Sequence, residues 1–156
     1  DRVKMANIAQ IVNVLQSMIL TKGKDMVLTP TYHVFEMQGS SRRYLFADGS
    51  NLRQGEVRDN REVPVVSASA SRDSQGKIHI SLANVDPGKA EHPYRPAKRN
   101  DKERERAYPD SVSINDYNTF DSPGEGQAGS FKGAKVEKGK LSVSLPPMSI
   151  VVLEVL

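Results

Sequence analysis

The stretch VPVVSASASRDSQGKIHISLANVDP, residues 63–87, decides the fold class. Its two halves are rich in β-branched and small residues, and between them stand the turn formers Asp73-Ser74-Gln75-Gly76. Two strands, Val63 to Arg72 and Lys77 to Val85, are therefore expected to form a hairpin. Along the second, alternation puts Ile78, Ile80 and Leu82 on one face, assigned to the core. His79, Ser81 and Ala83 fall on the other face, assigned to water, which makes His79 a plain surface residue.

The end of the chain repeats the device. Lys135 to Glu137 and Lys140 to Leu145 flank Lys138-Gly139, with Leu141, Val143 and Leu145 inward and Ser142 and Ser144 outward. Pro146-Pro147 stops the strand because proline cannot donate to a ladder, and Ile150 to Leu156 is a nearly continuous apolar last strand. Short alternating strands separated by glycine and proline turns predict an antiparallel β-sandwich.

The opening of the chain reads differently. From Met5 to Thr21 there is no charge, and Ile8, Ile11, Val12, Val14, Leu15, Met18, Ile19 and Leu20 leave little face for water. A helix apolar nearly all round is expected here, buried against a partner. Asn7, Gln10 and Ser17 fall close to one face of it at helical spacing, an uncharged stripe suited to hydrogen-bonding a sugar. A membrane span needs roughly 20 apolar residues, more than this run supplies, and a secretory signal lacks its basic start and cleavage site. Lys22-Gly23-Lys24-Asp25 is a turn, and Val34, Phe35 and Met37 belong to a short helical or extended link.

These residues carry a resemblance. The run DRVKMANIAQIVNVLQSMILTKGKDMVLTPTYHVFEM, residues 1–37, is similar to the end of the catalytic barrel of glycoside hydrolase family 51, the α-L-arabinofuranosidases. Residues 63–87, INDYNTFDSP, FKGAKVEKGKLSVSLPP and SIVVLEVL resemble the same family in the same order. The resemblance implies a mainly β fold: an antiparallel jelly-roll-like β-sandwich over 38–156, preceded over 1–37 by the last helix or helices of a truncated (β/α)8 barrel. It also implies the C-terminal part of a retaining exo-α-L-arabinofuranosidase that releases terminal arabinofuranose from hemicellulose or pectin oligosaccharides.

Retaining glycosidases use two carboxylates about 5 Å apart, and in this family both are glutamates on barrel strands that precede everything here. No glutamate of this chain matches those motifs, so no catalytic residue is assigned and the chain alone is expected to be inactive. By its match to the family's NIAQ motif, Gln10 resembles the glutamine that hydrogen-bonds the arabinofuranose where cleavage occurs; its amide can donate and accept toward sugar hydroxyls. A structural amide bonded to neighbouring loops is the other reading of Gln10. His33, among Tyr32, Val34 and Phe35, reads as a core or interface histidine. The loop from Asn115 to Pro123 could offer Tyr117 and Phe120 to a sugar, but its Asn, Asp and Pro residues equally describe turn chemistry.

The chain has 156 residues, a net charge of +3 and no cysteine, which excludes disulfides and thiolate chemistry. The basic excess sits in two segments that fit the family worst, 38–55 with Arg42, Arg43 and Arg53, and 91–111 with Arg95, Lys98, Arg99, Lys102, Arg104 and Arg106. Read one base later, codons permitted for both segments recover text similar to the family's. Two compensated frameshifts are therefore expected to have produced them, together with irregular loops, a missing strand and a bare sheet edge. His92 falls in the second segment. Nucleic-acid binding, which a pI near 9.2 would suggest, then loses its support.

Three dispersed histidines with no Asp/Glu cluster argue against a metal, and no cofactor is implied. The resemblance further implies an arabinose-containing oligosaccharide bound through the barrel, a homo-oligomer, no nucleic acid or membrane partner, and the cytoplasm favoured over export. A free-standing carbohydrate-binding β-sandwich is the alternative function. The apolar opening, which such a module would not carry, separates the two.

Overall fold

The hairpin expected from Asp73-Ser74-Gln75-Gly76 stands at the centre of the protein. The computed structural model describes residues 7–38, 44–45, 54–57, 61–88, 94–96, 103–107, 117–126, 128–137 and 140–155, with backbone alone at 38, 44–45, 54–57, 61–63, 94–96 and 103–107. In chain order the elements are β1 (Ile19–Lys22), β2 (Asp25–Leu28), α1 (Pro30–Gln38), β3 (Tyr44–Leu45), β4 (Gln54–Val57), β5 (Arg61–Pro64) and β6 (Val66–Arg72). They continue with β7 (Ile78–Asn84), β8 (Tyr94–Pro96), β9 (Glu103–Ala107), β10 (Ala134–Glu137), β11 (Lys140–Val143) and β12 (Ser149–Val155).

Two sheets form the sandwich, a five-stranded one in the order β3-β6-β7-β12-β9 and a three-stranded one in the order β10-β11-β8. All their pairings are antiparallel. The register explains the core. Ala68 lies opposite Leu82 and Ala70 opposite Ile80, while Val151 lies opposite Leu82 and Leu153 opposite Ile80, so one face of the large sheet is a block of aliphatic side chains. Leu141, Val143 and Leu145 from the small sheet and its extension close over that face. Val151, Leu153 and Leu145 are completely enclosed.

Local chemistry sets the turns. Gly76 takes φ of 85°, a left-handed conformation that costs glycine little, and Asp73 Oδ1 accepts from the backbone N–H of Gln75 and Lys77 at 2.8 and 3.0 Å. Where the chain enters β10, Gly133 lies so close to Ser144 that an added Cβ would stand 2.6 Å from its carbonyl oxygen. There the Ser144 N–H donates to the Gly133 carbonyl at 2.8 Å.

Several expectations are corrected. The helix over Met5 to Thr21 is not formed among the described residues: 7–18 is a run of bends and turns, and Ile19 to Leu28 is the β1–β2 hairpin. Asn13 and Gln16 have φ of 55° and 62°, outside the range a right-handed helix permits. The Asn13 side chain instead bonds Thr21, donating to its Oγ1 at 2.8 Å and accepting from its N–H at 2.7 Å. Short amide side chains that can bond the backbone compete with helix in this way. Lys22 to Asp25 is indeed a turn, but one that joins two strands. The link that follows is helical, with Pro30 at its first position, where the missing N–H has no helical partner to lose.

The strand predicted from Val63 is interrupted at Val65, so that β5 pairs with β4 while β6 pairs with β7. The second face of β7 is also not wet: His79 is only 4% exposed and Ser71 beside it is buried. Finally, β3, β8 and part of β4 and all of β9 fall inside 38–55 and 91–111, and β9 pairs with β12 over five residues. The edge expected to be bare is covered. The other positions of those segments, His92 included, lie outside the described residues. Replacing Leu153 by Ala is expected to lower stability by about 2–5 kcal/mol, as a fully enclosed leucine leaves a cavity; chemical denaturation monitored by circular dichroism measures it.

Candidate functional site

Gln10 is exposed, on the irregular segment that precedes β1. That segment has few regular bonds, and those it has are specific. Ile11 offers its carbonyl to the N–H groups of both Met18 and Ile19 at 3.0 Å, and Asn13 donates its N–H to the Ile19 carbonyl at 3.0 Å. Val12 and Ile19 form a parallel bridge. The residues after Gln10 therefore run beside β1 as an extra lane on the β1–β2 hairpin. The polar stripe assigned to Asn7, Gln10 and Ser17 is broken up, since Asn7 and Gln10 are exposed whereas Ser17 is buried.

Thr29, just before α1, ties the lane down from the other end. Its hydroxyl lies 2.8 Å from the Ser17 carbonyl and 3.2 Å from that of Met18, and its N–H donates to the Met18 carbonyl at 2.9 Å. One further residue reaches this array from the loop over 117–126. Asn118, 2% exposed, donates from Nδ2 to the Leu28 carbonyl at 2.7 Å and to the Gly126 carbonyl at 3.1 Å, while its Oδ1 accepts from the Gly126 N–H. Every hydrogen-bonding position of its amide except one lone pair is thus used. Sequence reading credited the Asn115 to Pro123 loop with turn chemistry but not with this bridge, because Leu28 is 90 residues away. Tyr117 is largely exposed, and Phe120 is half-buried.

The two described histidines, His33 and His79, are both buried. His33 is buried on α1, with Nδ1 3.5 Å from Glu36 Oε2. His79 places Nε2 3.2 Å from Asp73 Oδ2, and an ionised carboxylate can only accept, so Nε2 carries the proton. Alongside, Lys77 Nζ meets Glu154 Oε1 at 2.7 Å. Burial raises the Asp73 carboxyl, but the His79 side chain, the N–H groups of Lys77 and Gln75 and the His79 charge outweigh it and hold the group below its ordinary value. Among the described residues no three His, Asp or Glu side chains come together to hold a metal ion, and no helix is long and apolar enough to cross a membrane.

The described residues thus define a two-sheet antiparallel β-sandwich domain with a tethered hairpin ahead of it. Residues 1–149 match the family model described as the α-L-arabinofuranosidase C-terminal domain, and the chain belongs to that family. It is 48% identical over 159 residues to an intracellular exo-α-L-arabinofuranosidase of Bacteroides ovatus, covering 99% of this chain and 30% of that protein. The crystal structure of the GH51 arabinofuranosidase of Xanthomonas axonopodis pv. citri is 36% identical, with a TM-score of 0.85 over 99% of this chain and 32% of that one. An arabinofuranosidase of Thermotoga maritima, solved with arabinose, shares the fold with a TM-score of 0.73 at 22% identity, over 97% of this chain and 34% of that one. The chain thus spans about a third of the length of these relatives, and the β-sandwich expected from the sequence is the fold they share with it.

A depressed carboxyl pKa has a defined consequence for stability. The Asp73–His79 contact contributes fully above the unfolded value of about 3.9 and is lost as pH falls through the lower folded value. Asp73→Asn keeps an acceptor for the turn and removes the charge. Its melting temperature is expected to lie below that of the parent at neutral pH and to converge with it in acid, as followed by thermal melts across pH.

Proposed function

We propose that this chain is the C-terminal part of a retaining exo-α-L-arabinofuranosidase that releases terminal arabinofuranose from hemicellulose or pectin oligosaccharides. The observation that carries this reading is the 48% identity, over nearly the whole chain, to a protein named as an exo-acting arabinofuranosidase. Residues 1–37 complete the catalytic barrel and 38–156 form the sandwich behind it. The acid/base and nucleophile, two carboxylates about 5 Å apart, come from barrel strands ahead of these residues, and no residue of this chain takes their role.

Gln10 supplies a hydrogen bond to the arabinofuranose. Its exposure leaves the amide free of any enclosing core, and a primary amide can both donate to and accept from adjacent sugar hydroxyls. The apolar side chains beside it, with Leu15 94% exposed and Ile11, Val12 and Met26 also open, suit a surface that the barrel covers. The intact enzyme assembles as a homo-oligomer. The name of the Bacteroides relative includes the word intracellular, which supports the cytoplasm as the place of action on imported oligosaccharides.

Two outcomes are expected. The chain by itself releases no product from a chromogenic arabinofuranoside and self-associates in light scattering; turnover above blank would refute the reading. In the intact enzyme, Gln10→Ala loses a bond to an uncharged hydroxyl, about 0.5–1.5 kcal/mol, and kcat/KM falls about 2- to 10-fold at an unchanged melting temperature. Unchanged kinetics with a lowered melting temperature would make Gln10 a structural amide.

A further inference from the structure

We infer that Asn118 is a positioning residue: through the Leu28 carbonyl it fixes the segment that carries Gln10, so that the loop over 117–126 sets the geometry of the sugar contact. This rests on the reading of Gln10 as a substrate-binding residue.

The segment from Asn7 to Met18 has no regular structure of its own. Its conformation is therefore decided by the few bonds that leave it, since a backbone group without a helical or sheet partner takes its position from whatever else pairs with it. Those bonds lead one way. Ile11, next to Gln10, is held by the N–H groups of Met18 and Ile19. Ile19 pairs with Leu28 across the hairpin, and Thr29, the next residue, holds the carbonyls of Ser17 and Met18. From Ile11 to Leu28 is two strand spacings, about 10 Å.

A two-stranded hairpin alone is marginal in water, so the outer side of β2 needs an anchor. Asn118 gives it one, at 2.7 Å and almost wholly buried. The other two bonds of the amide, to the carbonyl and N–H of Gly126, fix the loop from which it reaches. The amide is thus locked within its own loop before it meets Leu28, which is the arrangement a positional reference requires.

Asn118→Asp tests the role with little change of shape. A carboxylate can still accept from the Gly126 N–H but cannot donate to either carbonyl. Amide hydrogen exchange of the intact enzyme should rise at least several-fold over residues 8–20 and stay as it was over 78–84. The kcat/KM for an arabinofuranoside should fall about 3- to 10-fold, and adding Gln10→Ala should then cost less than 2-fold more, because the contact is already misplaced. Thr29→Val breaks the same array at its middle and should behave alike, with Thr29→Ser restoring the parent; this pair serves if Asn118→Asp does not fold.

Unchanged exchange over 8–20 would overturn the tether. Faster exchange with parental kinetics, in an enzyme that Gln10→Ala does impair, would overturn the positioning role, as would full additivity of the two substitutions. If Gln10→Ala alone leaves kcat/KM at the parental value, the sugar contact itself is refuted and the positioning role falls with it. The exchange result then still decides whether Asn118 holds the segment.

Discussion

The structure depends on the burial of β12. It is hydrogen-bonded on both sides, to β7 and to β9, and Val151, Leu153 and Val155 project into the space between the two sheets. Each such aliphatic side chain is worth about 1.5–3 kcal/mol when fully removed from water, and the facing leucines and valines of β11 and its extension have no other core to join. On the opposite side of the large sheet Val152 is buried as well, where α1 lies against β12. A strand enclosed on both faces loses alternation in its sequence, which is why residues 150–153 read as a continuous apolar run.

The same enclosure explains what could and could not be read in advance. The hairpins β6–β7 and β10–β11 were legible because turn chemistry is local: Asp73, Gly76 and Pro146-Pro147 act within a few residues of themselves, while Lys138-Gly139 lies outside the described residues. Which residues of β7 face the core was legible too, since a period of two fixes the partition. Whether the second face would be wet was not. His79 and Ser71 are covered by tertiary neighbours that alternation cannot see, and the contacts Asp73–His79 and Lys77–Glu154 mark the strip.

The opening segment was misread for a related reason. Its apolar content was recognised, but periodicity in a run this apolar discriminates poorly between helix and strand, and the deciding groups were the side chains of Asn13 and Thr29. Asn118, which completes that array, is separated from it by most of the chain. Strand β9 was illegible because Glu-Arg-Glu-Arg-Ala offers no apolar alternation, and its pairing is set by the open edge of β12. Of the candidate residues, Gln10 came from resemblance and from a polar stripe that the fold does not keep, whereas the bonds that hold its segment are visible only in three dimensions.

Gly133 limits how this chain can vary. Its backbone meets that of Ser144 where a hydrogen atom fits and a carbon does not. Glycine is the one residue without a Cβ, so no missense change in that codon is structurally silent: every replacement must push the start of β10 away from the segment after β11. Position 133 is thus a built-in gauge of the sheet-to-loop spacing, and among variants of this chain a side chain there would signal that the spacing itself had been redrawn.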